Sequence, residues 1–132
     1  MHRFELRVYY EDTDLAGIVY YANYLKFIER ARTEFVRELG VDQGALKASQ
    51  GIVFAVRKVE AEYLVPAVFD DVLEVRSSVS KITGARMVLR QDVMRGETVL
   101  FASTITLVAL TDQGKPARLP ADIRQKLSDA AE

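Results

Sequence analysis

One long amphipathic pattern near the start of the chain constrains the fold more than any other feature. Residues 21–39 (YANYLKFIERARTEFVREL) place apolar side chains every three to four positions, the spacing of one helix face. The apolar stripe is wide, so the predicted helix must be buried along much of its length, and Gly40 supplies a stop. The stripe comprises Tyr24, Phe27, Ile28, Ala31, Phe35 and Leu39, widened by Leu25 and Val36.

Extended patterns lie on both sides of this helix. One alternating segment precedes it, four segments rich in β-branched residues follow it, and a short helix closes the chain. Short connections favour antiparallel neighbours, so we predict a single α+β domain over residues 1–132, a meander of five strands with the long helix on one face. The predicted strands cover residues 3–10, 52–64, 71–80, 85–94 and 97–110, and the closing helix covers residues 121–130.

Composition excludes several classes of function. The chain has 18 Lys and Arg against 19 Asp and Glu, so it lacks the basic excess of a nucleic-acid-binding domain. It has no cysteine, which excludes disulfides, cysteine nucleophiles and zinc–thiolate sites and suits a reducing compartment. Because residues 1–10 carry no signal-like apolar core and no apolar run could span a bilayer, we expect a cytoplasmic protein without membrane insertion.

Several kinds of catalytic site are also disfavoured. The single histidine, His2, is expected at a frayed terminus, which argues against a Ser–His–Asp triad or a histidine general base. No glycine-rich dinucleotide or phosphate loop is present, and we predict no metal site. Glu60 and Glu62 share one face of the long strand with Lys58 beside them, and we interpret them as a solvated sheet face. Tyr63, on the opposite face, is predicted to be core.

The acidic loop before the helix remains as the candidate catalytic element. Residues 11–17 (EDTDLAG) hold Glu11, Asp12 and Asp14. Acidic residues in such loops commonly form turns and cap helices. A carboxylate facing a helix N-terminus, however, lies beside unpaired N–H groups that can stabilise an oxyanion, a combination sufficient for acyl transfer. From the residues alone both interpretations stay open.

Residues 9–34 carry a more specific signal. The string YYEDTDLAGIVYYANYLKFIERARTE resembles the opening motif of the 4-hydroxybenzoyl-CoA thioesterase family, and most closely its Tol–Pal-associated acyl-CoA thioesterase branch. Weaker similarity continues along the chain, through the long strand into Pro66 and the closing segment GKPARLP. The resemblance implies a hot-dog fold, in which a curved antiparallel sheet wraps around the long helix. It also implies a homodimer or homotetramer with active sites at the subunit interface, and hydrolysis of acyl-CoA without a cofactor.

The resemblance also implies roles for individual residues. The family's catalytic aspartate, three residues before the motif glycine Gly17, falls on Asp14. The family's oxyanion donor, a backbone N–H at the helix start, falls on Tyr21. The Tol–Pal-associated branch often has histidine at this position. Tyrosine keeps the backbone N–H but cannot replace any function of the imidazole side chain. Gly17 is expected to allow close approach of the substrate, although a plain turn glycine is equally compatible. Tyr20 and Tyr24 are candidates for the acyl pocket, or for ordinary core.

The resemblance places the basic residues that bind the CoA phosphates in the region of Lys81, Arg86 and Arg90. We assign this role to Lys81 and Arg86, with a solvated strand end as the alternative. Two other functions remain compatible with the sequence. One is an acyl-carrier-protein thioesterase that uses the same chemistry on a protein-bound substrate. The other is a non-catalytic acyl-binding or scaffold protein with an inherited fold, against which the intact Asp14 argues. The branch resemblance also allows a partner in the cell envelope, but no surface of the sequence identifies one.

Overall fold

The computed structural model describes residues 1–131 and confirms the α+β class. Within that range a five-stranded antiparallel sheet carries three α-helices and one short 3-10 turn at Tyr10–Asp12. The bounds lie within a few residues of the predicted ones. The strands are β1 His2–Arg7, β2 Ile52–Tyr63, β3 Val72–Ile82, β4 Arg86–Arg95 and β5 Thr98–Thr111, and the helices are α1 Asn23–Glu38, α2 Gln43–Gln50 and α3 Ala121–Asp129.

The predicted five-strand meander is wrong in its order. The strands lie in the order β1-β3-β4-β5-β2, so only β3, β4 and β5 form a meander, and β1 and β2 are the two edges. The segment 64–71 lacks glycine and cannot close a tight hairpin of the usual kind, and it contains Pro66. It instead carries the chain from the β2 edge across to β3 on the far side of the sheet.

Helix α1 packs on the inner face of the sheet, over β1, β3 and β4. Its buried side chains belong to the predicted apolar stripe, and three of them, Phe27, Ile28 and Ala31, are at most 1% exposed. The sheet presents alternate residues to the helix, including Val75 on β3 and Leu89 on β4. Burying large apolar side chains contributes roughly 1.5–3 kcal/mol each, so this contact dominates the core.

A polar cluster lies inside this apolar layer. The Gln91 side chain on β4 is fully buried, and its Nε2 donates to the Ile28 carbonyl of α1 and to the Ser77 hydroxyl of β3, both at 2.9 Å. The Arg32 guanidinium of α1 donates to Gln91 Oε1 at 2.9 Å. Unlike apolar contacts, these bonds are directional, so they fix the rotation and the position of α1 on the sheet.

His2 is not frayed, contrary to the prediction. Its side chain is 10% exposed, stacks on Phe35 with ring centroids 5.3 Å apart, and places Nε2 2.9 Å from the Glu38 carboxylate. Because Phe35 and Glu38 belong to the last turns of α1, His2 lies at the opposite end of the helix from the acidic loop.

The inner face of β2 is left uncovered. Val56, Val59 and Tyr63 pair with the buried inner residues of β5, yet they are 48%, 43% and 49% exposed. Directly paired residues of antiparallel strands share a face, so an apolar strip of the sheet's inner surface is open beside α1.

We expect Gln91→Leu to lower the free energy of unfolding by about 1–3 kcal/mol, because Leu fills a similar volume but leaves Ser77 and Arg32 without their buried partner. Urea unfolding followed by circular dichroism measures the change. Gln113→Leu, in the exposed turn after β5, is the matched control and should change stability by less than about 0.5 kcal/mol. Equal stabilities of the two variants would contradict the role given to Gln91.

Candidate active site

A cavity of about 310 Å³ opens at the N-terminal end of α1, where the acidic loop meets the helix. It contains four of the sequence-predicted site residues, Asp14, Tyr20, Tyr21 and Tyr24. An aromatic and aliphatic wall with a single carboxylate is suited to an apolar ligand that carries one reactive polar group. The remaining lining comes from Ile18, Val19, Tyr63, Val65 and Pro66.

A larger open depression of about 480 Å³ lies near the other end of α1, but its chemistry is poorer. Its carboxylate, Asp42, caps helix α2 by accepting the Ala45 N–H at 2.9 Å. That is the ordinary structural role of an acidic residue before a helix. The cavity at Asp14 is therefore the better candidate.

The Asp14 side chain is exposed and is held by its own loop. Oδ1 accepts the backbone N–H of Ala16 at 3.0 Å, and the Asp14 carbonyl accepts the N–H of Gly17 at 2.9 Å. This is the local turn that acidic residues favour, so the structural interpretation of Asp14 holds. The turn engages Oδ1 only, and within residues 1–131 no hydrogen bond to Oδ2 occurs. A turn that fixes one oxygen and leaves the other available also orients a reactive carboxylate.

Gly17 closes this turn in a conformation that favours glycine. Its φ is +79°, and a Cβ built on it would have no atom within 4 Å. Glycine is therefore favoured here by the left-handed backbone conformation and not by a lack of space for a side chain. Gly17 itself does not line the cavity.

The two residues that lead into α1 carry unpaired N–H groups. The Tyr20 carbonyl accepts the Asn23 N–H at 2.9 Å, which forms a turn leading into the helix. In the described part of the chain, the backbone N–H groups of Tyr21 and Ala22 have no acceptor. Unpaired N–H groups at the positive end of a helix dipole stabilise negative charge. Tyr21 lines the same cavity as Asp14, so a carboxylate and a possible oxyanion donor share one space.

Tyr24 anchors the wall of the cavity. Its ring stacks on Phe101 with centroids 5.1 Å apart and an interplanar angle of 9°, and its hydroxyl accepts the Ala67 N–H at 3.1 Å. Burial raises the pKa of Tyr24 above its usual value, so the phenol is neutral at physiological pH. Tyr24 is thus both core and cavity wall, whereas Tyr20 is 45% exposed at the rim.

Lys81 and Arg86 lie away from this cavity within one chain. They belong to the β3–β4 end of the sheet, whereas the cavity is lined by the crossover that leads into the opposite end of β3. The length of β3 alone separates the two ends by roughly 30 Å. Lys81 and Arg86 could meet this cavity only if they came from another subunit.

Glu60 and Glu62 are exposed on β2, and Lys58 Nζ lies 3.3 Å from the Glu60 carboxylate. This arrangement agrees with the predicted solvated sheet face.

The sequence prediction missed Tyr63 as a site residue. It was expected in the core, but it lies half-exposed at the end of β2 because α1 does not cover that strand. Val65 and Pro66 were also missed, since the crossover 64–71 was taken to be an ordinary connection. In the sequence, Tyr63 looks like an ordinary buried strand residue, and Val65 and Pro66 look like the ordinary end of a strand.

Comparison with known proteins identifies the family. The family model of the thioesterase-like superfamily matches residues 8–127, which include the acidic loop, α1 and the whole crossover. The chain belongs to the thioesterase-like superfamily. Membership confirms the family resemblance of residues 9–34 and agrees with the hot-dog arrangement of a curved sheet around one helix.

Individual relatives of this thioesterase-like chain cover nearly its full length. It is 42% identical over 123 residues to the acyl-CoA thioesterase YbgC of Haemophilus influenzae, covering 92% of this chain and 90% of that protein. It is 41% identical over 125 residues to the acyl-CoA thioester hydrolase YbgC of Escherichia coli O6:H1, covering 93% and 92%. Among solved structures, a probable thioesterase from Bartonella henselae superposes with a TM-score of 0.86 at 37% identity, covering 90% of this chain and 98% of that one.

Among residues 1–131, no group of three or more histidine, aspartate or glutamate side chains is arranged to hold a metal ion. In the same range no helix has both the length and the apolar character needed to cross a membrane.

We expect Gly17→Ala to destabilise the protein by about 1–2 kcal/mol, because alanine must adopt a left-handed φ. Gly44→Ala in helix α2 is the matched control. It should raise the free energy of unfolding by about 0.5–1 kcal/mol, because alanine favours the helical conformation more than glycine does. Gly44 has no positive φ, and the new Cβ would lie 3.4 Å from the Asp42 carboxylate, an ordinary contact distance. Thermal unfolding of both variants checks the opposite signs. A neutral Gly17→Ala would show that the turn does not require glycine.

Proposed function

We propose that this thioesterase-like protein hydrolyses acyl-CoA to a free carboxylic acid and CoA, with Asp14 as the catalytic carboxylate. The observation that carries the proposal is the cavity in which the Asp14 carboxylate and the Tyr21 residue at the helix start face one space. The names of the Haemophilus influenzae and Escherichia coli relatives support acyl-CoA as the substrate. The cysteine-free composition supports a reducing compartment such as the cytoplasm.

In the proposed reaction, the thioester carbonyl oxygen accepts the Tyr21 N–H, and negative charge develops on that oxygen as the carbonyl carbon is attacked. Asp14 acts in one of two ways. Its free oxygen attacks the carbon, giving an acyl-enzyme anhydride that water then hydrolyses, or it removes a proton from a water that attacks directly. In both routes the carbon–sulfur bond breaks and CoA leaves as the thiolate.

The other predicted residues take supporting roles in this proposal. Tyr20 and Tyr24 form the wall against which the start of the acyl chain lies, and Gly17 keeps the Asp14 turn closed. Lys81 and Arg86 are proposed to bind CoA phosphates only across an interface, from a second subunit. A cavity of about 310 Å³ accommodates the thioester and a short or compact acyl group, so longer chains would need additional space outside it.

Asp14→Asn should lower kcat for acyl-CoA hydrolysis by at least about a hundredfold, since it removes the charge needed for attack or for proton abstraction. Asparagine can still accept the Ala16 N–H, so the turn and the fold are preserved. Thiol release from short, long and aromatic acyl-CoAs measures the effect. Asp12→Asn is the matched control in the same loop: Asp12 accepts the Tyr9 N–H at 2.8 Å, does not line the cavity, and should keep activity within about twofold.

Any one of three results would contradict the proposed function. Equal turnover by wild type and Asp14→Asn would show that another group performs the chemistry. Tight acyl-CoA binding without any thiol release would favour a non-catalytic acyl-binding protein. Turnover of acyl groups on a carrier protein, but not on CoA, would instead identify the protein-bound substrate.

We further propose that the protein assembles as a homodimer through the open inner face of β2. Its exposed apolar side chains, Val56 and Val59, continue the sheet's buried surface, and strand β2 is an unpaired edge. An exposed apolar edge strand favours pairing with another strand, so a second copy of β2 would cover the edge and bring the apolar strips of the two copies side by side on one face of a joined sheet. Tyr63 lies on this strip and in the cavity, so the interface would adjoin the site.

Val59→Glu should convert the assembly to monomers, because it places a charge in the proposed apolar interface. Lys58→Glu, at the next position on the solvated side of the same strand, is the matched control and should leave the assembly intact. Light scattering after size-exclusion chromatography gives the mass of each variant. A wild-type mass of one chain, about 14.9 kDa, would refute the dimer.

A further inference from the structure

Tyr63 hydrogen-bonds the residue whose N–H is the proposed oxyanion donor. Its hydroxyl donates to the Tyr21 backbone carbonyl at 2.9 Å, across 42 positions of sequence. The contact joins the end of edge strand β2 to the start of α1, and both residues line the cavity with Asp14. No other hydrogen bond to the Tyr21 carbonyl is found within residues 1–131.

The two peptide groups that flank the Tyr21 Cα are therefore each held by one bond. The Tyr20–Tyr21 peptide is held through its carbonyl by the Asn23 N–H, and the Tyr21–Ala22 peptide through its carbonyl by the Tyr63 hydroxyl. Together these bonds restrict both backbone dihedrals of Tyr21. An oxyanion donor stabilises the transition state best when its direction is fixed before the reaction, because no reorganisation is then needed.

The Tyr63 ring is itself held in place. It contacts Tyr24 and Phe101 edge-on, with centroids 5.5 and 5.0 Å away, and Tyr21 at 6.1 Å. Burial raises the pKa of Tyr63 above its usual value, so its hydroxyl remains protonated and able to donate throughout the neutral range. A ring held by aromatic neighbours and a hydroxyl that is protonated at neutral pH are the properties that a hydrogen-bond donor in this position requires.

We propose that Tyr63 is a positioning residue for the reaction. By holding the Tyr21–Ala22 peptide from across the cavity, it restricts the ψ angle of Tyr21 and so limits rotation of the neighbouring Tyr20–Tyr21 peptide, which carries the Tyr21 N–H. It makes no bond to the reacting atoms and acts only through Tyr21. This inference rests on the proposed function, since it assigns the Tyr21 N–H to the thioester oxygen. It differs from a role in stability, because a fixed N–H direction matters more to the transition state than to the bound substrate.

The test is steady-state kinetics of Tyr63→Phe on the best acyl-CoA substrate. Phenylalanine keeps the ring contacts and removes only the hydroxyl. Loss of a complete oxyanion donor costs roughly a hundred- to a thousandfold in kcat, so a donor that is only loosened should cost about five- to twentyfold, with KM within about twofold of wild type. Tyr10→Phe is the matched control: Tyr10 is 82% exposed, does not line the cavity, and should have wild-type kinetics.

A second measurement reports the bond directly. Because the Tyr21 carbonyl and the Ala22 N–H belong to one peptide group, loss of the Tyr63 bond should move the Ala22 amide proton upfield in the NMR spectrum of Tyr63→Phe. Tyr10→Phe should leave that resonance in place. The same spectra show whether each variant is folded.

Unchanged kcat in Tyr63→Phe, or a raised KM with unchanged kcat, would overturn the proposal, the latter because it would make Tyr63 a simple wall of the pocket. Asp14→Asn is assayed in parallel. If it loses turnover while Tyr63→Phe keeps it, only the Tyr63 proposal fails. If the wild type releases no thiol from any acyl-CoA, the proposed function fails, and an unmoved Ala22 amide resonance would independently overturn the Tyr63–Tyr21 bond.

Discussion

The burial of α1 against the inner face of the sheet is the contact on which the rest of this molecule depends. Phe27 and Ile28 are each 1% exposed, and the Gln91 amide bonds the Ile28 carbonyl at 2.9 Å. Apolar burial supplies most of the stabilisation, and the directional bonds of Gln91 fix where along the sheet the helix lies. That position determines where the N-terminus of α1 lies. It therefore also determines where the unpaired N–H groups at that terminus lie relative to the acidic loop.

Three separate stretches of chain meet at that N-terminus and hold one another. The acidic loop joins the helix start through the Tyr20 N–H, which donates to the Asp12 carbonyl at 2.9 Å. The crossover joins both, since the Val19 N–H donates to the Ala67 carbonyl at 2.8 Å and the Ala67 N–H donates to the Tyr24 hydroxyl at 3.1 Å. Backbone bonds between segments this distant in sequence exist only in the folded chain. The candidate site is thus assembled by the whole fold, although its carboxylate and its helix are neighbours in sequence.

The sequence predicted well what depends on local pattern. The apolar stripe of α1 and the alternation of the strands indicated the α+β class, and the motif around Asp14 indicated the family. Periodicity and a continuous motif can be recognised in the sequence without knowledge of which distant segments pair. Strand order was predicted wrongly, since the pairing of β2 with β5 is a non-local choice that short connections do not determine. The burial of His2 and the exposure of Tyr63 were missed for the same reason. Both depend on where α1 lies across the sheet, and α1 covers β1 but leaves β2 open.

The central claim, that the thioester lies between Asp14 and the start of α1, is tested most directly by a crystal structure of the Asp14→Asn protein with an unhydrolysed acyl-CoA. We predict the thioester carbonyl oxygen about 2.7–3.1 Å from the Tyr21 backbone nitrogen, with the residue-14 side chain facing the carbonyl carbon and the acyl group against Tyr24. A thioester bound elsewhere, for example in the depression beside Arg37 and Asp42, or one whose carbonyl makes no contact with the helix N-terminus, would contradict the account.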